Sequence, residues 1–305
     1  MKFGICLPIR LDADAQSNIE IAKAAEEMGF DSVWASDHVV IPAGRTGMFS
    51  EYFYDPFILL TYIAAETSKI LIGTSVIILP YRNPVVTAKT ASTLDLVSGG
   101  RLIFGVGPGW LREEFEALGV QFDMRGRMTD EYIKAIRTLW EEDRPEYEGE
   151  FCSFSGIKFY PKPLQKPRPP IWIGGSSGRA LRRAALLGDG WQPTWASPAD
   201  VGEGITAIKS IADEAGRDPA DLTFSVRNRL KILKSDAGGK GSNDQRPNEP
   251  SFSLRGNAGE IADYIAQYGE LGVSHIVFDP DADDLKEIFY MMEAVSKKIM
   301  PVFGD

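Results

Sequence analysis

Leu94-Asp95-Leu96-Val97-Ser98-Gly99-Gly100-Arg101-Leu102-Ile103-Phe104-Gly105-Val106-Gly107-Pro108-Gly109-Trp110 carries one complete structural step. Leu94 to Val97 close an amphipathic run that begins at Val85. Ser98-Gly99-Gly100 then ends it, because glycine readily takes the left-handed conformation that stops a helix. Arg101–Gly107 is a short apolar run without polar alternation, the mark of a strand buried on both faces and so of a parallel sheet. Gly107-Pro108-Gly109 turns the chain out into a loop.

The same step repeats in both directions from this stretch. Strands are predicted at Phe3–Leu7, Ser32–Ala35, Ile70–Leu79, Arg101–Gly107, Ile171–Gly174, Gly190–Gln192, Leu222–Leu233 and His275–Phe278. Helices are predicted between and after them, at 16–28, 56–67, 85–97, 129–142, 179–187, 198–215, 259–271 and 285–299. About eight β/α units close a barrel. The expected fold is a single (β/α)8 TIM barrel spanning residues 1–305, with insertions after strands 2, 4 and 7. A doubly wound open sheet is the competing architecture, but no GxGxxG follows the first strand. A Pro-, Gly- and aromatic-rich segment, Pro145–Pro170, precedes the fifth strand. Ser235–Pro250 is polar and aperiodic, and reads either as a lid or as a disordered loop.

Composition narrows the function. The chain has 305 residues, 44% of them hydrophobic, and a formal charge of −10. An acidic chain without a basic run is a poor nucleic-acid binder, since that binding rests on phosphate neutralisation. No run approaches the length that spans a bilayer, and the N-terminal residues lack the apolar run of a signal peptide. A cytoplasmic protein is expected. Two cysteines, Cys6 and Cys152, supply neither a disulfide framework nor metal-ligand spacing. No metal site is expected.

Catalytic residues in such barrels sit at the C-terminal ends of strands. His38 follows the second strand, where an imidazole can exchange protons near neutral pH; the plain alternative is a loop histidine bonded to backbone. Asp37 can orient His38 or meet the polar edge of a heterocycle. His275 opens the eighth strand on the opposite rim and reads as structural. Ile173-Gly174-Gly175-Ser176-Ser177-Gly178-Arg179 runs from a strand end into a helix start, where free N–H groups and Arg179 suit a phosphate; a tight βα turn needing glycine is the alternative. After the fourth strand, Gly107 lets the backbone pass close beneath a planar ring and Trp110 can wall the pocket; a plain loop with a packed Trp is the alternative. Phe49, Tyr52, Phe53 and Tyr54 line an apolar pocket or belong to the core.

Together these pieces resemble the luciferase-like flavin superfamily, and more narrowly its coenzyme F420-dependent branch. The matching motifs are Ser36-Asp37-His38, Gly73-Thr74-Ser75-Val76, Arg82-Asn83-Pro84, the 94–110 stretch, Arg125-Gly126-Arg127, Pro170–Gly175 and Gly188-Asp189-Gly190-Trp191. The resemblance implies a cofactor ring over the barrel mouth, flanked by Asp37 and His38. It implies a bulge with a non-proline cis peptide at Ser75-Val76 behind the ring, and phosphate held by Gly174, Gly175, Ser176 and Ser177. One departure stands out: the glutamate that follows the fourth strand's GxG in F420-dependent glucose-6-phosphate dehydrogenases is replaced by Pro108, with Glu113 and Glu114 further on. That acid is absent or displaced, and a sugar phosphate is not the expected substrate.

The expected activity is hydride transfer between coenzyme F420 and a small, largely apolar organic substrate, with His38 exchanging the proton. The rival on the same fold is an FMN-dependent monooxygenase supplied by a separate flavin reductase. Further alternatives are a non-redox barrel enzyme and a non-catalytic flavin-binding protein. A homodimer through the early helices is expected; Leu59, Leu60, Ile63 and Ala88–Leu94 are candidates either for that contact or for covering the barrel.

Overall fold

A computed structural model describes residues 1–45, 49–233 and 252–304; Ser235–Pro250 lies wholly outside them. Eight parallel strands form the barrel: β1 (Lys2–Cys6), β2 (Ser32–Ala35), β3 (Leu71–Thr74, resuming at Ile77–Ile78), β4 (Leu102–Gly107), β5 (Ile171–Gly174), β6 (Gly190–Gln192), β7 (Thr223–Ile232) and β8 (His275–Pro280). Each is followed by its helix: α1 (Ala15–Glu27), α2 (Pro56–Glu66), α3 (Pro84–Val97), α4 (Arg125–Glu141), α5 (Gly178–Leu187), α6 (Pro198–Glu214), α7 (Ala258–Glu270) and α8 (Leu285–Ala294). The ring closes because β1 pairs β8, with Ile5 opposite Phe278, and β7 pairs β6, with Phe224 opposite Trp191. Asp14, Asp55, Asn83, Ser177, Ser197 and Asn257 accept first-turn N–H groups at the starts of α1, α2, α3, α5, α6 and α7. Each such cap is worth about 1 kcal/mol. No helix among the described residues is long and apolar enough to cross a membrane.

Two predicted elements differ in detail. The run 70–79, read as one strand, breaks after Thr74 and resumes with Ile77 opposite Val106; the Ser75-Val76 peptide between is cis. Side chains of a regular strand alternate between faces. Here Ser75 bonds to Gln192 and Arg227 while the next residue, Val76, packs on Gly107 and Gly174. Two consecutive inward residues require a bulge. The last predicted helix, 285–299, is α-helical only to Ala294 and continues as a π-turn through Ile299. The 145–170 segment carries a short hairpin, Tyr147–Glu148 against Ser153–Phe154, on the rim where helices lead back into strands.

The lower barrel is filled by aromatic residues fitted over glycines. Trp34 and Trp172 stack with centroids 5.3 Å apart. A Cβ on Gly73 would lie 2.3 Å from the Trp34 ring, and one on Gly190 2.6 Å from the Trp172 indole. His275 meets both tryptophans edge-on. Its Nε2 is 2.8 Å from Ser32 Oγ, which itself accepts the Trp34 indole N–H at 2.7 Å. The Ser32 hydroxyl thus links the Trp34 indole to the buried His275 ring. Burial lowers its pKa to about 3.

That depressed value has a testable consequence. Between pH 6.5 and about 3 the unfolded chain binds a proton at this site that the folded chain refuses, so stability falls as pH falls through that window. The contribution is about 1.4 kcal/mol per pH unit. Urea unfolding at pH 6.5 and pH 4.5 should show a steeper loss for the wild type than for His275→Asn. Equal losses would mean that the imidazole stays charged in the fold.

Candidate active site at the barrel mouth

The C-terminal rim has a floor built from β3, β4 and β5. Cβ atoms placed on Gly107 and Gly174 would each lie 2.8 Å from a Val76 methyl. The two glycines thus let Val76 sit flush between their strands, giving a flat apolar platform. Beneath it the packing is equally close, since a Cβ on Gly105 would fall 1.8 Å from the Thr74 carbonyl oxygen. Ser75 is tied across the barrel: its hydroxyl donates to Gln192 Oε1 at 2.6 Å, and its carbonyl accepts from Arg227 at 2.8 Å and from Ser36 Oγ at 3.2 Å.

His38 stands on this rim, its ring packed on Phe49 at 4.4 Å and Phe53 at 5.3 Å between centroids, with Trp110 edge-on at 6.2 Å. These aromatics wall the histidine, and Trp110 remains half exposed to the mouth. The partner of the imidazole is Glu114, whose Oε2 lies 2.6 Å from Nδ1. The same carboxylate accepts N–H groups from Val39 at 2.8 Å and Val40 at 3.2 Å, and the Tyr81 hydroxyl at 2.9 Å. Burial of Glu114 pushes its pKa up, but the bonds from His38, Val39 and Tyr81 outweigh that and hold it below the ordinary range. An ionised Glu114 accepts, so Nδ1 carries the proton. Nε2 has no hydrogen-bond partner among the described residues. Glu114 stands on the short helix Arg112–Ala117, beyond the Gly107–Gly109 turn.

Asp37 has a different occupation from either one read in the sequence. Its carboxylate accepts both Arg82 amino groups, at 2.5 and 2.8 Å, and the Ile78 N–H at 2.9 Å. It is buried and committed to this clamp, which ties the end of β2 to the chain leading into α3. The imidazole of His38 is held by Glu114 instead, since both Asp37 oxygens are taken by Arg82 and Ile78.

The 174–179 turn lies on the same rim. Gly175 has φ +99°, and its carbonyl accepts the Trp191 indole N–H at 2.8 Å, so the turn is pinned by the next strand. Ser177 caps α5 by accepting from Ala180 N–H. That leaves the Gly178 and Arg179 N–H groups without intrahelical partners. Residues 175–179 are exposed. Arg183, one helical turn beyond Arg179 on the same face, bonds Gly126 O at 3.0 Å and Asp130 Oδ1 at 2.5 Å. Arg179 thereby lies beside Arg125, whose guanidinium covers the Phe122 ring at 3.7 Å and bonds the carbonyls of Phe122 and Gly109. Burial, then the nearby Arg112 and Arg179 charges, hold the Arg125 pKa below its ordinary value against the pull of Asp123.

All the predicted site residues thus reach one rim. Platform residues Ser75, Val76, Gly107 and Gly174 touch, and His38 and Trp110 form a second group. Gly175, Ser176, Ser177 and Arg179 form the exposed turn. Glu114, Arg125 and Arg227 were given no role in the sequence. Arg227 had a partial signal: Arg227, Arg229 and Lys231 recur at period two in Thr223–Ile232, which puts them on one face of the strand. Glu114 had only its adjacency to the GxG loop, which cannot separate it from Glu113.

Comparison with known proteins follows the geometry. A family model described as luciferase-like monooxygenase matches residues 1–237. An uncharacterised protein of Mycobacterium tuberculosis is 30% identical over 279 residues, 86% of this chain and 88% of its own. The coenzyme F420-dependent tetrahydromethanopterin reductase of Methanopyrus kandleri superposes with a TM-score of 0.83 at 22% identity, covering 99% of each chain. The FMN-bound oxygenating component of 3,6-diketocamphane monooxygenase from Pseudomonas putida superposes at 0.78 with 18% identity, covering 99% of this chain and 98% of its own. Both superpositions agree on the barrel.

Removing Arg82 tests the clamp. Breaking a buried pair from one side leaves an uncompensated charge and costs about 3–5 kcal/mol. Arg82→Ala should lower stability by that order in urea unfolding, and adding Asp37→Asn should recover most of it. A double variant no more stable than the single one would mean the loss does not come from the stranded carboxylate.

Proposed function

The chain belongs to the luciferase-like monooxygenase family, and on that premise we propose that its mouth holds coenzyme F420 and passes a hydride between it and a small organic substrate. The observation that carries this reading is the Val76 platform between Gly107 and Gly174, with the His38–Glu114 pair on the same rim. The residues present fit a planar heterocycle with a phosphorylated tail. The platform is flat and apolar. The Gly178 and Arg179 amides, with the Arg179 and Arg125 guanidiniums, supply donors and positive charge for a phosphate.

A bound deazaflavin supplies or accepts the hydride; the protein supplies binding, orientation and proton transfer. Glu114 accepts a hydrogen bond from the Nδ1–H and so fixes the His38 tautomer with its lone pair on Nε2. In alcohol oxidation Nε2 takes the hydroxyl proton, and Glu114 stabilises the imidazolium that results. In carbonyl reduction the same proton returns to the nascent alkoxide. Phe49, Phe53 and Trp110 exclude water from this exchange and select an apolar substrate body. A fully paired Asp37 takes no part in proton transfer.

Titration with F420 and with FMN, followed by fluorescence, tests the assignment. Tighter binding of F420 is expected; tight FMN binding with none of F420 would instead favour the flavin monooxygenase reading. His38→Ala should lower turnover by about 10²–10⁴-fold and leave the coenzyme Kd within a few-fold. Turnover unchanged in that variant would remove His38 from the chemistry.

We also propose a homodimer through the outer faces of α2 and α3. The residues first considered, Leu59, Leu60 and Ile63, are buried against the barrel, because they lie on the inward stripe of α2. The outward stripe carries Ile58 at 72%, Val86 at 61% and Val97 at 59% exposure, an unusual run for a solvent face. Ile58→Glu with Val97→Glu should convert a dimer to monomer in sedimentation. A wild-type monomer would overturn the proposal.

A further inference from the structure

Arg227 is a buried cation at the centre of the mouth, and the proton transfer described above does not use it. It is 4% exposed. Its Nη1 donates to Ser36 Oγ and to the Ser75 carbonyl, both at 2.8 Å, and its Nη2 donates to Asp279 Oδ2 at 2.8 Å. Among the described residues its Nε has no hydrogen-bond partner. The other ionisable group packed against it is Cys6, whose thiol burial pushes up to about 12 and so keeps neutral. One carboxylate, itself 6% exposed, therefore balances one guanidinium, and the guanidinium grips the residue that leads directly into the Val76 platform. Burying a pair in this way gains little net stability over apolar packing.

We propose that Arg227 is a positioning residue for the coenzyme, its charge and that of Asp279 together setting how strongly the mouth prefers the reduced over the oxidised ring. This rests on the reading of the mouth as a flavin or deazaflavin site. Reduction leaves negative charge on the pyrimidine side of such a ring, and a nearby cation favours that form while a carboxylate opposes it. Both groups sit in a water-poor interior, where charge acts over longer distances than at the surface. The chemistry fixes the signs: losing Arg227 weakens the reduced coenzyme relative to the oxidised one, and losing Asp279 strengthens it.

The test measures Kd for oxidised and reduced coenzyme, with F420 and FMN as separate probes, in the full-length protein. Arg227→Gln is expected to lower the preference for the reduced form at least tenfold, and Asp279→Asn to raise it by a similar factor. Tenfold is about 30 mV for a two-electron couple. Arg227→Lys keeps the charge and should stay near the wild type even where overall affinity falls. Arg227→Gln with Asp279→Asn replaces the ion pair by two amides and should return the preference to the wild-type value. If Arg227→Gln alone does not fold, Asp279→Asn and the double variant carry the test. Wild-type protein that binds a coenzyme while no variant moves the ratio overturns this inference alone, as do single variants that move it in one direction. Wild-type protein that binds neither coenzyme overturns the site reading, and this inference with it.

Discussion

Closure of the parallel ladder is the constraint from which the rest follows. With Phe224 beside Trp191 at one seam and Ile5 beside Phe278 at another, every strand ends on the same rim. Residues far apart in sequence, such as His38, Ser75, Gly107, Gly174 and Arg227, are then forced into one mouth. A closed barrel also has a fixed interior volume, so each inward side chain must be matched by its neighbours. Trp34 and Trp172 fit because Gly4, Gly73 and Gly190 give them room.

The interior divides into two levels with different physics. Below, the tryptophan pair with Cys6, Ile103 and Val277 makes a dense apolar plug, and the single imidazole there is held neutral by its surroundings. Above, Ser36, Ser75, Gln192, Arg227 and Asp279 bond to one another across five strands. Buried polar groups are costly unless satisfied, and here they largely satisfy one another. The polar level rests on a rigid plug and presents its upper side to the mouth. Glu114 serves a similar end at the rim, where one carboxylate gathers His38, two backbone amides and Tyr81. That geometry fixes which imidazole nitrogen stays available.

Much of this was legible in the chain itself. Helix-ending glycines, unbroken apolar strand runs and their repeat gave the barrel and, to within a few residues, its elements. Glycines at 107 and 174 and the Ser177–Arg179 helix start were visible as backbone features, because close approach and free amides depend on local residue type. Position after a strand separated His38 from His275. The pairing of Asp37 was not legible, because its partner Arg82 lies 45 positions away. The sequence offered Asp37 either to His38 or to the polar edge of a heterocycle, and neither reading could weigh a partner so far along the chain. The early apolar helices left interface and barrel cover open, because composition alone does not say which stripe faces inward.

The amino-acid order by itself determined the alternation of strand and helix, the conformations only glycine permits, and the residue types available at each strand end. These are short-range properties, set by dihedral preference and hydrophobic period. Tertiary structure alone decided that Glu114 rather than Asp37 holds the imidazole, that Ser75 and Val76 both turn inward, and that Arg227 faces Asp279 inside the barrel. Those outcomes depend on distances across a closed ring, which bring together residues 76, 117 or 152 positions apart. No local preference encodes such separations.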